Sequence, residues 1–72
     1  MNTVIADNIK NIIAEKGLKQ GFVAEKAGLS PTDLSNMLNG RKIIRDDNIL
    51  SLSMALGVTP NELFGMADHA KY

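Results

Sequence analysis

The chain has 72 residues and no cysteine, so it can form one domain at most and has neither disulfide bonds nor thiolate metal sites. Eight acidic and eight basic residues cancel, and this neutral balance argues mildly against nucleic acid as a partner, because many DNA-binding domains are basic. No apolar run approaches the roughly 20 residues of a membrane span and no signal-peptide pattern follows Met1, so we expect a soluble, cytoplasmic protein.

The first third of the chain predicts two helices. Isoleucines recur near the start at the spacing of one helix face, at Ile5, Ile9, Ile12 and Ile13. Thr3 suits an N-cap and Gly17 a C-terminal stop, which predicts a helix over residues 4–16. A second helix is expected at 20–27, where Gly28 can supply the left-handed residue of a sharp turn.

The third predicted helix covers residues 31–38 and has a strong start signal. Ser30 suits the N-cap, Pro31 suits the first helical position, and Asp33 can close a capping box while favouring the positive end of the helix dipole. The Asn-Gly pair at 39–40 ends this helix.

Two further helices follow without any strand signal between them. The fourth is predicted at residues 46–56 and begins with an acidic pair, and the fifth, at 60–65, follows another capping-box signature. We expect Leu63 and Phe64 to point into the core. Residues 66–72 have little periodicity, which predicts a frayed C-terminal tail.

One set of residues resembles a known family. It comprises Gln20, Ala24, Gly28, Leu34, the Asn-Gly pair at 39–40 and the segment ALGVTPNELF at 55–64. In residue type and spacing this set is similar to the Cro/phage-repressor (XRE-type) helix-turn-helix transcriptional regulators. The resemblance implies an all-α, five-helix, lambda-repressor-like DNA-binding domain over residues 1–65.

Physical reasons support the roles of these positions. Ala24 must be small where the second helix crosses the third closely, and Gly28 must reach a positive φ. With Leu34 facing the core, the third helix is held at a fixed angle with its other face outward. A helix held in this way fits the major groove of DNA, which is about 12 Å wide.

The resemblance places base-reading residues on the third helix, at Pro31, Thr32, Asp33, Ser35 and Asn36. Asn36 can bond adenine in bidentate fashion, Thr32 can contact a thymine methyl group, and Asp33 can accept from cytosine. Helix capping is the alternative role for Asp33, and a solvated helix face is the alternative for the other two. The third helix has no Arg or Lys, so the commonest guanine contact is absent.

The resemblance places phosphate contacts on both sides of the third helix, at Lys19, Gln20, Asn39, Gly40, Arg41, Lys42 and Arg45. Three of the eight basic residues lie in the loop at 41–45, and a helix N-terminus suits an anion near Gln20. The alternatives are a solvated charged loop and an ordinary exposed glutamine. Asp46 stands where the family often has an apolar residue, so we expect Ile43 or Ile44 to fill that space.

Catalysis and metal binding find little support. The single histidine, His69, lies in the predicted tail, and neither a nucleophile–base spacing nor a Gly-rich phosphate loop occurs. We therefore expect no enzymatic activity, no cofactor, no metal and no small-molecule ligand.

The leading hypothesis is a sequence-specific, double-stranded DNA-binding transcriptional regulator, acting as a phage or mobile-element repressor at the bacterial nucleoid. It would bind a palindromic operator as a homodimer, with half-sites about 34 Å apart. Family dimers commonly use the fifth helix and nearby loops, which here implies the segment from Val58 to Phe64.

The alternative is a protein-interaction module of the antitoxin, immunity or adaptor type with a silent or secondary DNA face. The neutral charge, Phe22 and the pair Ile43-Ile44 motivate it.

Overall fold

A computed structural model describes residues 3–65. The elements are α1 (Thr3–Lys16), α2 (Gln20–Lys26), α3 (Pro31–Leu38), α4 (Asp46–Leu56) and α5 (Pro60–Leu63). Within that range there are five helices and no strand, so the predicted all-α architecture is confirmed. The predicted tail at 66–72, with His69, lies outside the described residues.

The helix limits match the sequence predictions at α3 and α4 and differ slightly elsewhere. The described part of α1 already begins at Thr3, which is therefore a helical residue and not the predicted N-cap. Helix α2 ends one residue early, at Lys26, and α5 ends two residues early, at Leu63. At that end the N–H groups of Phe64 and Gly65 donate to carbonyls three residues back, which tightens and terminates the last turn.

The turn between α2 and α3 depends on Gly28. This residue has a φ of +75°, as predicted, and the N–H of Leu29 donates to the Ala24 carbonyl at 2.8 Å. The bond closes the end of α2 in the manner of a Schellman motif, so α3 starts only a few residues later. The short connection fixes the angle between the two helices.

Side-chain caps define the starts of the later helices. The Ser30 hydroxyl accepts from the Asp33 N–H at 3.0 Å, but the Asp33 carboxylate forms an ion pair with Lys42, so the predicted capping box is only half formed. At α4, the Asn48 side chain caps the N–H of Arg45. At α5, the Glu62 carboxylate accepts from the Thr59 N–H at 3.0 Å, which is the return bond of the predicted capping box.

A single apolar core lies between the helices. Its most deeply buried side chains are contributed by every helix and include Ile9, Val23, Leu34, Met37, Leu52 and Leu63. Ala24 is also fully buried, which fits the close packing of α2 against α3. Of the two loop isoleucines, Ile44 enters the core and Ile43 remains 65% exposed.

Two aromatic side chains remain largely outside this core. The prediction for Phe64 is wrong: it is 44% exposed. The preceding residue, Leu63, is fully buried, and its carbonyl accepts from the Asn8 side chain of α1 at 2.9 Å. Because successive helical positions point about 100° apart, Leu63 and Phe64 cannot both face the core. Phe22 is also exposed, and the ammonium group of Lys26 lies 5.8 Å from its ring centre.

Candidate nucleic-acid interface

Helix α3 has an apolar inner side and a polar outer side. Leu34, Met37 and Leu38 are buried on the inner side. The five predicted base-reading residues all lie outside this buried set: Pro31 and Thr32 are exposed, while Asp33, Ser35 and Asn36 are partly exposed. The structure therefore presents these five side chains on one short, rigidly attached helix.

The attachment of α3 involves both preceding helices. Helix α3 packs against α2 and α1, and α2 packs in turn against α4. Leu34 is completely excluded from solvent in this arrangement. Tilting α3 would open a cavity around Leu34, so the outer face is held in a defined orientation.

Backbone N–H groups after α3 are already used inside the protein. The N–H of Gly40 donates to the Met37 carbonyl at 3.3 Å, and those of Arg41 and Lys42 both donate to the Asn36 carbonyl, at 2.8 and 3.2 Å. The N–H of Asn39 donates to the Ser35 carbonyl in the same way. Contacts to a phosphate from this segment must therefore come from side chains, and Gly40 has none to offer.

The basic loop residues that were predicted to contact phosphate differ in whether they already form an ion pair. Lys42 lies with its ammonium nitrogen 3.1 Å from a carboxylate oxygen of Asp33, which joins a predicted phosphate contact to a predicted base reader. Arg41 and Arg45 are exposed and have no ion pair within residues 3–65. These two arginines are the loop cations most available to an external anion.

The start of α2 supplies the remaining predicted contacts. Lys19 occupies the N-cap position in an extended conformation, and its side chain makes no hydrogen bond to the helix. Gln20, the first helical residue, is exposed. Neither side chain caps the helix, and both lie at its N-terminal end, where the helix dipole is positive.

Sequence reasoning missed Lys10 as a candidate site residue. An open groove of about 260 Å³ lies on the surface where α1 meets the end of α3, and it is lined by Ala6, Asp7, Lys10, Leu38, Asn39 and Gly40. The Lys10 ammonium group is 3.6 Å from the Asp7 carboxylate, one helical turn away. Lys10 is remote from the loop in sequence, and only the packing of α1 on α3 brings it beside Asn39.

The described residues contain neither a metal-binding cluster nor a membrane-spanning helix. Within residues 3–65, no three His, Cys, Asp or Glu side chains are grouped so that they could hold a metal ion. In the same range, no helix has the length and apolar character needed to cross a membrane.

Comparison with known proteins identifies the family. A helix-turn-helix family model matches residues 9–63, which includes all of α2 to α5. The chain belongs to this XRE-type helix-turn-helix family. Membership makes it a DNA-binding transcription regulator. A comparison with curated protein sequences gave no match.

Solved structures agree with this assignment. The restriction-modification controller protein C.AhdI from Aeromonas hydrophila is 29% identical, with a TM-score of 0.81, over 86% of this chain and 94% of that one. The hypothetical transcription factor NHTF from Neisseria is 32% identical, with a TM-score of 0.81, over 88% of this chain and 72% of that one.

A third structure supports the fold alone. The clp gene regulator ClgR from C. glutamicum is 24% identical, and its TM-score of 0.84 extends over 99% of this chain and 92% of that one. All three similarities agree with the five-helix arrangement of the described residues.

Proposed function

We propose that this helix-turn-helix protein is a sequence-specific repressor that binds a palindromic operator in double-stranded DNA as a homodimer, with α3 in the major groove. The observation that carries the proposal is the outer side of α3, where five polar or small residues stand on a helix anchored by buried Leu34. The resemblance to phage repressors supports a phage or mobile-element regulator. Its place of action would be the bacterial nucleoid, in the cytoplasm.

Within this proposal, base reading falls on the outer side of α3. Asn36 would bond an adenine in bidentate fashion, Thr32 would contact a thymine methyl group, and Ser35 can donate to or accept from a base edge. Pro31 lies at the first helical position and would touch the groove through its ring alone, because proline has no N–H donor.

Phosphate binding would use exposed side chains around α3. Arg41 and Arg45 follow it, while Lys19 and Gln20 precede it at the start of α2. Asn39 would contribute its side-chain amide, and Lys10 extends the set across the groove. If each protomer neutralises about three to four phosphates, log K for the dimer falls with log salt at a slope of roughly −5 to −7.

The homodimer is supported by apolar side chains on the surface of α4. Leu50 and Met54 are 57% and 79% exposed and lie four residues apart, so they share one face of the helix. In the segment from Val58 to Phe64, by contrast, Leu63 is fully buried. We therefore propose that the dimer surface includes Leu50 and Met54 together with exposed Phe64.

Selection from a randomised duplex DNA library tests the proposed function directly. At about 50 mM salt phosphate contacts remain strong, and we expect enrichment of a palindrome with half-site centres about 10 base pairs apart. Sequence-blind, salt-sensitive retention would contradict base reading by α3. If no duplex is retained at all, the proposal that the protein binds operator DNA is wrong.

A second candidate function is a protein-interaction module of the antitoxin, immunity or adaptor type. Exposed Phe22 on α2 and exposed Ile43 in the loop after α3 favour it, because a surface that contacts only DNA has little use for them. The same selection distinguishes the two candidates, since a module with a silent DNA face retains no duplex.

Replacing Asn36 by alanine should cost about 1–3 kcal/mol of operator binding free energy and relax one operator position. The side-chain amide is lost, while the Asn36 carbonyl continues to accept from the two N–H groups that close α3. Titration of labelled operators that differ at each position measures the effect. Asn11→Ala, on an exposed side of α1, is the matched control and should bind normally. Unchanged discrimination by the Asn36 variant would refute the assigned reading face.

Replacing Arg41 by alanine should weaken binding to all duplexes alike. The exposed guanidinium has no ion pair within residues 3–65, so its loss removes one phosphate contact per protomer without disturbing another group. The salt slope should then become less negative by about 1 for each phosphate that is no longer neutralised. Lys16→Ala, at the exposed end of α1, serves as the control of equal charge. A slope identical to that of the wild type would exclude the phosphate role of Arg41.

A further inference from the structure

Within residues 3–65, the ion pair between Asp33 and Lys42 is the only one that joins α3 to another segment. Its nitrogen–oxygen distance is 3.1 Å, and the two side chains are 46% (Lys42) and 42% (Asp33) exposed. The pair therefore lies on the outer surface of the helix-turn-helix and not in the core. Both members belong to the surface that the proposed function turns toward DNA.

The path of the chain explains how this pair forms. The N–H of Lys42 donates to the Asn36 carbonyl at 3.2 Å, which holds the start of the loop against the last turn of α3. Asp33 precedes Asn36 by three residues, so it lies about 4.5 Å toward the helix start on the same side. The Lys42 side chain spans this distance along the outer side of α3.

The pair leaves Lys42 with two competing anions. A DNA phosphate can bind the ammonium group only by displacing the Asp33 carboxylate or sharing the cation with it. Exposed ion pairs are weak and screened by salt, so this one can open. Once it opens, however, an uncompensated carboxylate remains beside a polyanion, which opposes binding.

We propose that Asp33 is a specificity-determining residue, because it competes with DNA for Lys42 and so lowers the affinity for sequences other than the operator. The inference rests on the proposed function. At the operator, a cytosine amino group can replace Lys42 as the partner of Asp33, and Lys42 is then free for phosphate. At other sequences no such donor is present, and the competition lowers affinity.

The test compares wild type, Asp33→Asn, Lys42→Gln and the double variant on one selected operator and one duplex of unrelated sequence. Asparagine keeps the shape of Asp33 and its backbone N–H bond to Ser30. Asp33→Asn should bind the unrelated duplex more tightly, by up to roughly fivefold per protomer, the limit set by the weakness of an exposed ion pair, and its salt slope should be more negative than that of the wild type. The ratio of operator to unrelated affinity should fall.

The double variant distinguishes competition between Asp33 and phosphate for Lys42 from direct repulsion between the Asp33 carboxylate and DNA. When Lys42 is already glutamine, Asp33→Asn should increase the affinity much less, because no cation is released. An equal increase in both backgrounds would overturn the inference and leave only direct repulsion by Asp33. Glu15→Gln removes the same charge from an exposed site on α1 with no ion pair within residues 3–65, and it should not reproduce the increase.

Two other results would also overturn the inference, in distinguishable ways. If wild type selects an operator but Asp33→Asn binds the unrelated duplex no more tightly, the competition fails and the proposed function stands. If no variant binds any duplex, although all melt cooperatively by circular dichroism, the proposed function fails together with the inference.

Discussion

Replacing Leu34 by alanine should lower the free energy of unfolding by about 2–5 kcal/mol, a large part of the stability of so small a domain. Leu34 is completely buried and is the central apolar residue of α3. The substitution removes its transfer free energy and leaves a cavity where α3 meets α1 and α2. Urea denaturation followed by circular dichroism at 222 nm measures the loss.

A matched substitution on the surface separates burial from residue type. Ile43→Ala removes an apolar side chain of the same size that is 65% exposed, and it should change stability by no more than about 0.5 kcal/mol. A Leu34→Ala protein as stable as the Ile43 variant would contradict the packing of α3 described above.

Local signals account for the parts of the fold that the sequence predicted well. Helix α3 begins and ends where Ser30, Pro31 and the Asn-Gly pair at 39–40 predict, because caps and left-handed turns depend on neighbouring residues. The all-α fold class was predicted from similar start and stop signals at the other helices. The family resemblance added the prediction that α3 is held at a fixed angle with one face outward.

Contacts between distant residues account for what the sequence left open. Whether Ile43 or Ile44 entered the core depended on the path of one loop. The burial of Leu63 and the exposure of Phe64 depend on how α5 packs on α1, where Asn8 and the Leu63 carbonyl, 55 residues apart, form a hydrogen bond. Neither outcome has a local signature. Periodicity describes one helix at a time, so it cannot report which loop residue a neighbouring helix will cover.

The candidate site likewise has features that the local sequence predicts and features that depend on contacts between separate segments. The outward side of α3 was predictable, since its polar residues alternate with Leu34 and Met37 at helical spacing. The pairing of Lys42 with Asp33 was not, because the two were assigned separate roles toward DNA and only the return of the loop along α3 brings them together. Lys10 was missed for the same reason, as α1 carries no DNA-binding motif.

Replacing Met54 by glutamate should convert the proposed dimer to monomers and lower operator affinity by about 10²–10⁴-fold. Met54 is 79% exposed, so the substitution should leave the fold intact while placing a charge in the apolar contact between two copies. In a dimer, the second protomer binds the second half-site in an intramolecular step that raises the overall affinity. A monomer lacks this second step, so the added affinity is lost. Sedimentation equilibrium measures the mass, and operator titration measures the affinity.

The control for this change is another exposed apolar residue away from α4. Val4→Glu, on α1, is 61% exposed in the wild type and should remain dimeric with normal operator binding. Leu50→Glu, one turn from Met54, should behave like the Met54 variant, because a shared face is what the dimer requires. If both α4 variants stay dimeric while a Phe64→Glu protein does not, the contact lies at α5. If wild type itself is monomeric on DNA and selects a single half-site, the homodimer proposal is wrong, although α3 can still read bases.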